Sequence, residues 1–266
     1  MKTSNLWTVG DVHNQYVALY ELISSIPPGE KIVFVGDLIH KGSPEGCAPV
    51  VALVQDFVSQ GRAVCIRGNH DSTAGKGKFI HDEGDLSDRM KGWLKTLPLF
   101  VRIDGHLFIH GGIDSSVASV IDMMDLPREG DWTPQIVNSE VAKLSSKNRK
   151  RLEKCMYVRY LDDNGKMLAF GAETPESKYW AEDYDGRYGH VVFGHNPWSL
   201  GPGLFNHATG IDTGAGESEL PPTDVALLQR AKLPMSPVRS GALCAFPIMG
   251  GIIRPRDVIE VRIQSL

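Results

Sequence analysis

An α/β fold with a polar site at the carboxyl ends of its strands is what the sequence predicts, on two observations. Short apolar runs each stop at a polar loop, and segments of helical period separate them. Leu6–Val9 ends in Gly10-Asp11; Tyr16, Leu19, Tyr20, Leu22 and Ile23 then recur at helical spacing until Pro27-Pro28-Gly29. Lys31–Val35 follows and ends in Gly36-Asp37, which completes a βαβ unit. The pattern repeats with the apolar face Pro49, Val50, Leu53, Val54, Phe57 and Val58, a stop at Gly61, and a strand Ala63–Ile66 that runs into Arg67-Gly68-Asn69-His70-Asp71. Leu86–Leu97 reads as an amphipathic helix, Leu99–Ile103 as a strand, Asp104-Gly105 as a turn, and Leu107–Ile109 as a strand leading into His110-Gly111-Gly112. Residues 114–156 are helix-like, carry the basic run Lys147–Arg151, and read as an insertion covering one edge of the site, its charges forming a solvated face. Val191–Phe193 delivers Gly194-His195, and a closing β section holds Gly210–Gly214, Gly241–Met249 and Val258–Ile263. Between them 217–237, with four prolines, reads as a surface loop.

Composition bounds the function. A chain of 266 residues with 42% hydrophobic and 23% charged residues is globular, and without a linker or internal repeat it reads as a single domain over 1–266. A net charge of -4 and a pI near 6.1 exclude a broadly basic surface and argue against a dedicated nucleic-acid binder. Cys47, Cys65, Cys155 and Cys244 form no C-x-x-C pair, so neither a zinc knuckle nor a disulfide framework is expected. No apolar stretch approaches the roughly 20 residues of a membrane helix. The first polar motif, Gly10-Asp11, leaves no room for a signal peptide, and the expected compartment is the cytoplasm.

A single Asp or His after a strand is most often a turn-former. Here Asp11 and His13, Asp37, Asn69 and His70, His110 and His195 all follow apolar runs, and in an α/β chain the strand carboxyl ends converge on one crevice. Such a set offers a shareable carboxylate with oxygen and imidazole donors and no thiolate, the ligand chemistry of two divalent ions about 3.5–4 Å apart.

The blocks Gly10-Asp11-Val12-His13-Asn14, Gly36-Asp37-Leu38-Ile39-His40-Lys41-Gly42, Gly68-Asn69-His70-Asp71, His110-Gly111-Gly112 and Gly194-His195 resemble, in order, those of the calcineurin-like metallophosphoesterases, in their phosphoprotein phosphatase branch. Trp93-Leu94, Leu97-Pro98-Leu99 and Gly210-Ile211-Asp212-Thr213-Gly214 narrow the resemblance to the bis(5′-nucleosyl)-tetraphosphatases and ApaH-like phosphatases. The resemblance implies a four-layer α-β-β-α sandwich. It places one metal on Asp11, His13 and Asp37 and a second on Asp37, Asn69, His110 and His195, with Asp37 bridging. A hydroxide shared by two cations has a depressed pKa and attacks phosphorus in line, while His70 protonates the leaving oxygen. Manganese is the expected metal, with Fe, Zn, Co and Mg as alternatives on the same donors.

Two residues depart from the family pattern. Its second block usually carries an Asp and an Arg where this chain has His40 and Lys41. The missing Asp normally orients the catalytic histidine; Asp71 and His40 are the candidates to supply that bond, with a structural or substrate-edge role for His40 as the alternative. Lys41 keeps the positive charge without the forked guanidinium, and Arg159 resembles the family's second phosphate-gripping arginine. Asn69 lies at the phosphate as well as the metal, and Tyr160, Trp180 and Tyr184 are candidates for stacking on a base. Asp212 reads as a turn-former, and His81, His106, His190 and His207 as surface or satisfied histidines.

The resulting expectation is a hydrolase of phosphoanhydride bonds in a nucleotide or dinucleoside polyphosphate, or in a cap-like 5′–5′ link at an RNA 5′ end. A Ser/Thr phosphoprotein phosphatase is the alternative enzyme, disfavoured by the altered second block. A catalytically weak nucleotide-binding module is the alternative of another class, disfavoured by the complete ligand set and His70.

Overall fold

The computed structural model describes residues 5–174, 176–198, 201–216 and 241–263; the Pro-rich loop expected over 217–237 lies outside them. In chain order the main elements begin with β1 (Leu6–Val9), α1 (Tyr16–Ser25), β2 (Lys31–Phe34), α2 (Cys47–Ser59), β3 (Ala63–Cys65) and α3 (Asp88–Thr96). They continue with β4 (Phe100–Ile103), β5 (His106–Ile109), α4 (Ser115–Ile121), α5 (Pro134–Lys143) and α6 (Ser146–Leu152). The remainder is β: β6 (Tyr160–Leu161), β7 (Lys178–Tyr179), β8 (His190–Phe193), β9 (Gly203–Leu204), β10 (Ala208–Gly210), β11 (Ala242–Met249), β12 (Ile252–Ile253) and β13 (Ile259–Arg262).

Two sheets form. One runs β12-β11-β1-β2-β3, with β13 also paired to β11, and the other runs β4-β5-β8-β10-β9. Alternation along each strand then builds four layers. Leu6, Val33 and Val35 of the first sheet meet Phe108 and Val192 of the second in the core between the sheets. The intervening residues point outward: Trp7, Val9, Ile32 and Phe34 pack on Leu19 and Leu22 of α1, Val50, Val54 and Phe57 of α2, and Leu94 of α3. Leu107, Ile109, Val191 and Phe193 pack on Val117, Val120, Val137 and Leu152 of α4–α6. Helices α4–α6 thus form the outer layer over the second sheet, whereas the sequence suggested an insertion along one edge of the site. Each is held at its N-terminus by a side chain, as in the bond from Val117 N–H to Asp114 Oδ1 at 2.7 Å.

Strands β1, β2 and β3 are mutually parallel, as are β5, β8 and β10. Their carboxyl ends therefore deliver Asp11, Asp37, Asn69, His110, His195 and Asp212 to one side of the sandwich. The strand expected over Gly210–Gly214 stops at Gly210, because Ile211–Gly214 leaves the sheet as an irregular segment that carries Asp212 into this cluster.

Candidate functional site

The loops that follow these strands are strained. His13 (φ 50°), Asn14 (63°), Asp37 (51°), His40 (71°), Lys41 (63°) and His195 (67°) all adopt left-handed backbone, and among the described non-glycine residues with positive φ only Asp104, in a hairpin turn, lies elsewhere. Such conformations cost on the order of 1 kcal/mol each and persist where surrounding structure over-determines them. The loops also approach closely: a Cβ on Gly68 would run into the Asp37 carboxylate, and one on Gly194 into that of Asp11.

Two groups of donors result. Asp11, His13 and Asp37 place one ligand atom each within 4.8 Å of one another, as do Asp37, His110 and His195, and Asp37 belongs to both. Asn69 joins the second group, its Oδ1 3.0 Å from His110 Nε2. Asp37 Oδ2 lies 3.3 Å from His110 Nε2 and 4.0 Å from His13 Nε2. The ring orientations are set from behind. His110 Nδ1 donates to the Val35 carbonyl at 2.8 Å and His13 Nδ1 to that of Ile39 at 3.2 Å, which turns both Nε2 lone pairs into the site.

The electrostatics suit cations. Burial and the neighbouring Asp212 carboxylate push Asp11 well above the ordinary carboxylate range. Asp37, despite a burial that would raise it, is held well below that range by the His110 imidazole. Burial lowers His13 to about 3, while for His110 the charges of Asp37 and Asp11 outweigh burial and raise it to about 10. Buried carboxylates packed against one another and interleaved with imidazole nitrogens are a donor set that a pair of divalent ions would neutralise, so the residues fit two such ions.

The remaining sequence candidates separate. His70, 7% exposed, has its amide bonded to Asp37 Oδ1 at 2.8 Å and its Nδ1 3.2 Å from Nδ1 of the fully buried His40. Asp71 is turned to the backbone. Its Oδ2 accepts from the amides of Asp37 and Gly68, both at 2.9 Å, and its Oδ1 from that of Leu38 at 3.0 Å, so it clamps the β2 and β3 loops together. Of the two residues the sequence offered to orient His70, His40 is the one whose ring contacts it. Lys41 is exposed at the rim, its charge adding to the burial that lowers His13, His70 and His195. Arg159 lies inside, its Nε donating to His195 Nε2 at 3.2 Å and its guanidinium to the His195 carbonyl at 3.3 Å.

Tyr160 and Trp180 are buried in the core of the second sheet with Tyr184 packed against it, so the stacking role suggested for them is not where the structure puts them. The aromatics at the site are Phe79, against His40 and His70, and Tyr157, 41% exposed, with its ring edge-on 6.4 Å from His195. Sequence reading also missed Asn14, whose Oδ1 accepts from the His40 amide at 3.0 Å and whose side-chain amide donates to the Asp82 carbonyl at 2.9 Å. Asp212 does form a turn, accepting from Gly214 at 2.8 Å, but it stands beside Asp11. Glu83 faces His40 from a segment without a motif.

A family model, the calcineurin-like phosphoesterases, matches residues 4–230. A symmetrical bis(5′-nucleosyl)-tetraphosphatase of Janthinobacterium sp. (strain Marseille) is 27% identical, the match covering 78% of this chain and 88% of that protein. A PP2A-like serine/threonine-protein phosphatase of Candida albicans is 29% identical over 48% of this chain and only 35% of its own length. Among solved structures, one provisionally described as a diadenosine tetraphosphatase superposes with a TM-score of 0.58 at 19% identity, covering 99% of this chain and 96% of that one.

Proposed function

The chain belongs to the calcineurin-like phosphoesterases, metal-dependent hydrolases of phosphate esters or anhydrides, and we propose that its substrate is a nucleotide or dinucleoside polyphosphate cleaved at a phosphoanhydride bond. The observation that carries this reading is the pair His40–Lys41. A monoester phosphatase depends on gripping one phosphoryl group, for which a forked guanidinium is suited, whereas a chain of phosphates spreads its charge over several contacts. Here the rim offers the point charge of Lys41 and the deeper guanidinium of Arg159, two separated cations. The match over most of a tetraphosphatase, against a third of a protein phosphatase, supports the same choice.

In this proposal Asp11, His13 and Asp37 hold one divalent ion and Asp37, Asn69, His110 and His195 the other, with manganese as the working metal. When bound, the ions would supply Lewis acidity, lowering the pKa of water and neutralising phosphoryl charge. Arg159 and Lys41 orient the phosphate chain, and Asn69 contacts the reacting phosphoryl group. His70, with Nδ1 turned to His40, presents Nε2 to the leaving oxygen as its proton donor.

The test is a panel on manganese-reconstituted protein: diadenosine tetraphosphate, a nucleoside triphosphate, a capped RNA 5′ end, a phosphoserine peptide and an aryl phosphate. The proposal expects kcat/KM for at least one polyphosphate to exceed that for the peptide by about tenfold or more, or ~1.4 kcal/mol of differential transition-state binding. Preference for the peptide would establish the phosphoprotein phosphatase reading, and tight nucleotide binding with no turnover even of the aryl phosphate would establish the binding module.

A further inference from the structure

We infer that Glu83 is a positioning residue for His70, acting through the imidazole of His40. The inference rests on the reading of His70 as proton donor and goes beyond it to the group that fixes which nitrogen serves.

Glu83 is 1% exposed, although it lies in the segment between β3 and α3 with no apolar pattern to bury it. Three groups hold it there. The Gly75 amide donates to Oε1 at 2.9 Å, the Lys91 ammonium stands 3.2 Å from Oε2, and His40 Nε2 faces Oε1 at 3.4 Å. Against the opposing effect of burial, these contacts keep the acid below its ordinary pKa and therefore ionised.

An ionised carboxylate only accepts hydrogen bonds. The His40 nitrogen that faces it, Nε2, therefore carries the proton. Burial lowers the pKa of His40, so the ring is neutral and its Nδ1 bears a lone pair. The 3.2 Å contact between the Nδ1 atoms of His40 and His70 needs one proton, and it must come from His70. His70 is thereby left with Nε2 as the nitrogen that exchanges protons with substrate. Phe79 lies against both rings, 4.8 Å from His40 at 35° and 4.9 Å from His70 at 39°, and limits their rotation. When the bond from phosphorus to the leaving group breaks, its electron pair stays on the leaving oxygen, and the proton delivered to that oxygen passes from His70 Nε2, the nitrogen that the contact with His40 leaves open. His70 ends neutral, its Nδ1 proton still directed at His40.

The sequence departure at position 40 is accounted for on the same geometry. A histidine has two nitrogens at opposite sides of a rigid ring, so it transmits orientation from a carboxylate farther away, and Glu83 is that carboxylate. Asn14 contributes by holding the His40 amide at 3.0 Å in its left-handed conformation.

The test compares Glu83→Gln and His70→Asn on an alkyl phosphate, whose leaving oxygen needs a proton, and on 4-nitrophenyl phosphate, whose leaving group does not. His70→Asn should lower kcat on the alkyl ester by about a hundredfold and on the aryl ester by much less. Glu83→Gln should lower kcat on the alkyl ester by about tenfold, leave KM and the aryl ester unchanged, and add nothing in the His70→Asn background. Equal losses on both esters with Glu83→Gln, or additivity with His70→Asn, would reduce Glu83 to a structural role and overturn the inference. Equal losses with His70→Asn itself would instead remove the proton-donor reading. Long-range proton–nitrogen NMR of the zinc-loaded parent supplies a readout independent of turnover and of any variant's folding. His40 should be protonated at Nε2 and unprotonated at Nδ1, and His70 protonated at Nδ1; a His40 proton on Nδ1 overturns the inference.

Discussion

Restoring the family-typical pair, His40→Asp with Lys41→Arg, should move substrate preference toward monoesters, but the structure predicts that the double substitution alone will fail. Position 40 is fully buried and faces Glu83. An Asp placed there would confront that carboxylate at about 5 Å, and two like charges at that distance repel by ~3 kcal/mol at an effective dielectric of about 20. At 1.36 kcal/mol per unit, this raises one carboxyl pKa by roughly 2 units and weakens its hold on His70. Adding Glu83→Gln removes the conflict. The left-handed backbone at position 40, φ 71°, is one that Asp tolerates, so no backbone change is needed. The assay is the ratio of kcat/KM for a phosphoserine peptide to that for diadenosine tetraphosphate in the parent, the double and the triple variant. The triple variant should raise the ratio by at least about tenfold, equivalent to ~1.4 kcal/mol, and should exceed the double variant on both substrates. A ratio unchanged in the triple variant would show that positions 40 and 41 do not set substrate class, and a double variant as active as the triple would refute the repulsion argument.

Asn69→Ala and His195→Ala should each lower occupancy of the second metal group more than the first, since neither side chain reaches His13; equal loss from both groups in metal titrations would contradict the division. Asp71→Ala leaves the amides of Asp37, Leu38 and Gly68 without their acceptor, at ~1–3 kcal/mol each before relief of the buried charge is counted. Urea denaturation should show a lowered midpoint, and an unchanged one would mean the clamp contributes nothing. At the amino end of β8, the central strand of the second sheet, burial and the nearby His106 and His207 depress His190 to about 4. Its folded pKa lies below the unfolded one, so stability is retained above about pH 6.5 and lost as pH falls toward 4, by ~2 kcal/mol after discounting partial exposure. His190→Gln in chelator-treated protein should flatten the stability curve across that window, and a parallel curve would show that His190 does not titrate as described.

The site was legible wherever a residue follows an apolar run. Asp11, Asp37, Asn69, His110 and His195 each end a parallel strand, and the parallel order makes their convergence a consequence of topology. The helices were readable from apolar spacing, though α2 begins at Cys47, before the first periodic apolar residue. Residues placed by loop path were not legible. Glu83 and Phe79 belong to a stretch with neither period nor strand end, and only the folded loop brings them to His40. Asp71 illustrates the other failure: a buried acid beside a histidine in sequence has the composition of a catalytic pair, yet its oxygens are taken by backbone amides. Aromatic residues misled for a similar reason. Tyr160 and Trp180 carry no periodic signal separating core from surface, whereas Tyr157, three residues earlier than Tyr160, lies at the site beside His195.

Asp37 is proposed to join the two donor groups into one binuclear centre. Manganese titration followed by electron paramagnetic resonance tests it directly. Two manganese ions per chain should bind, with the multiline spectrum of an exchange-coupled pair, and Asp37→Asn should abolish that spectrum. One ion per chain, or two with uncoupled signals in the parent, would contradict it.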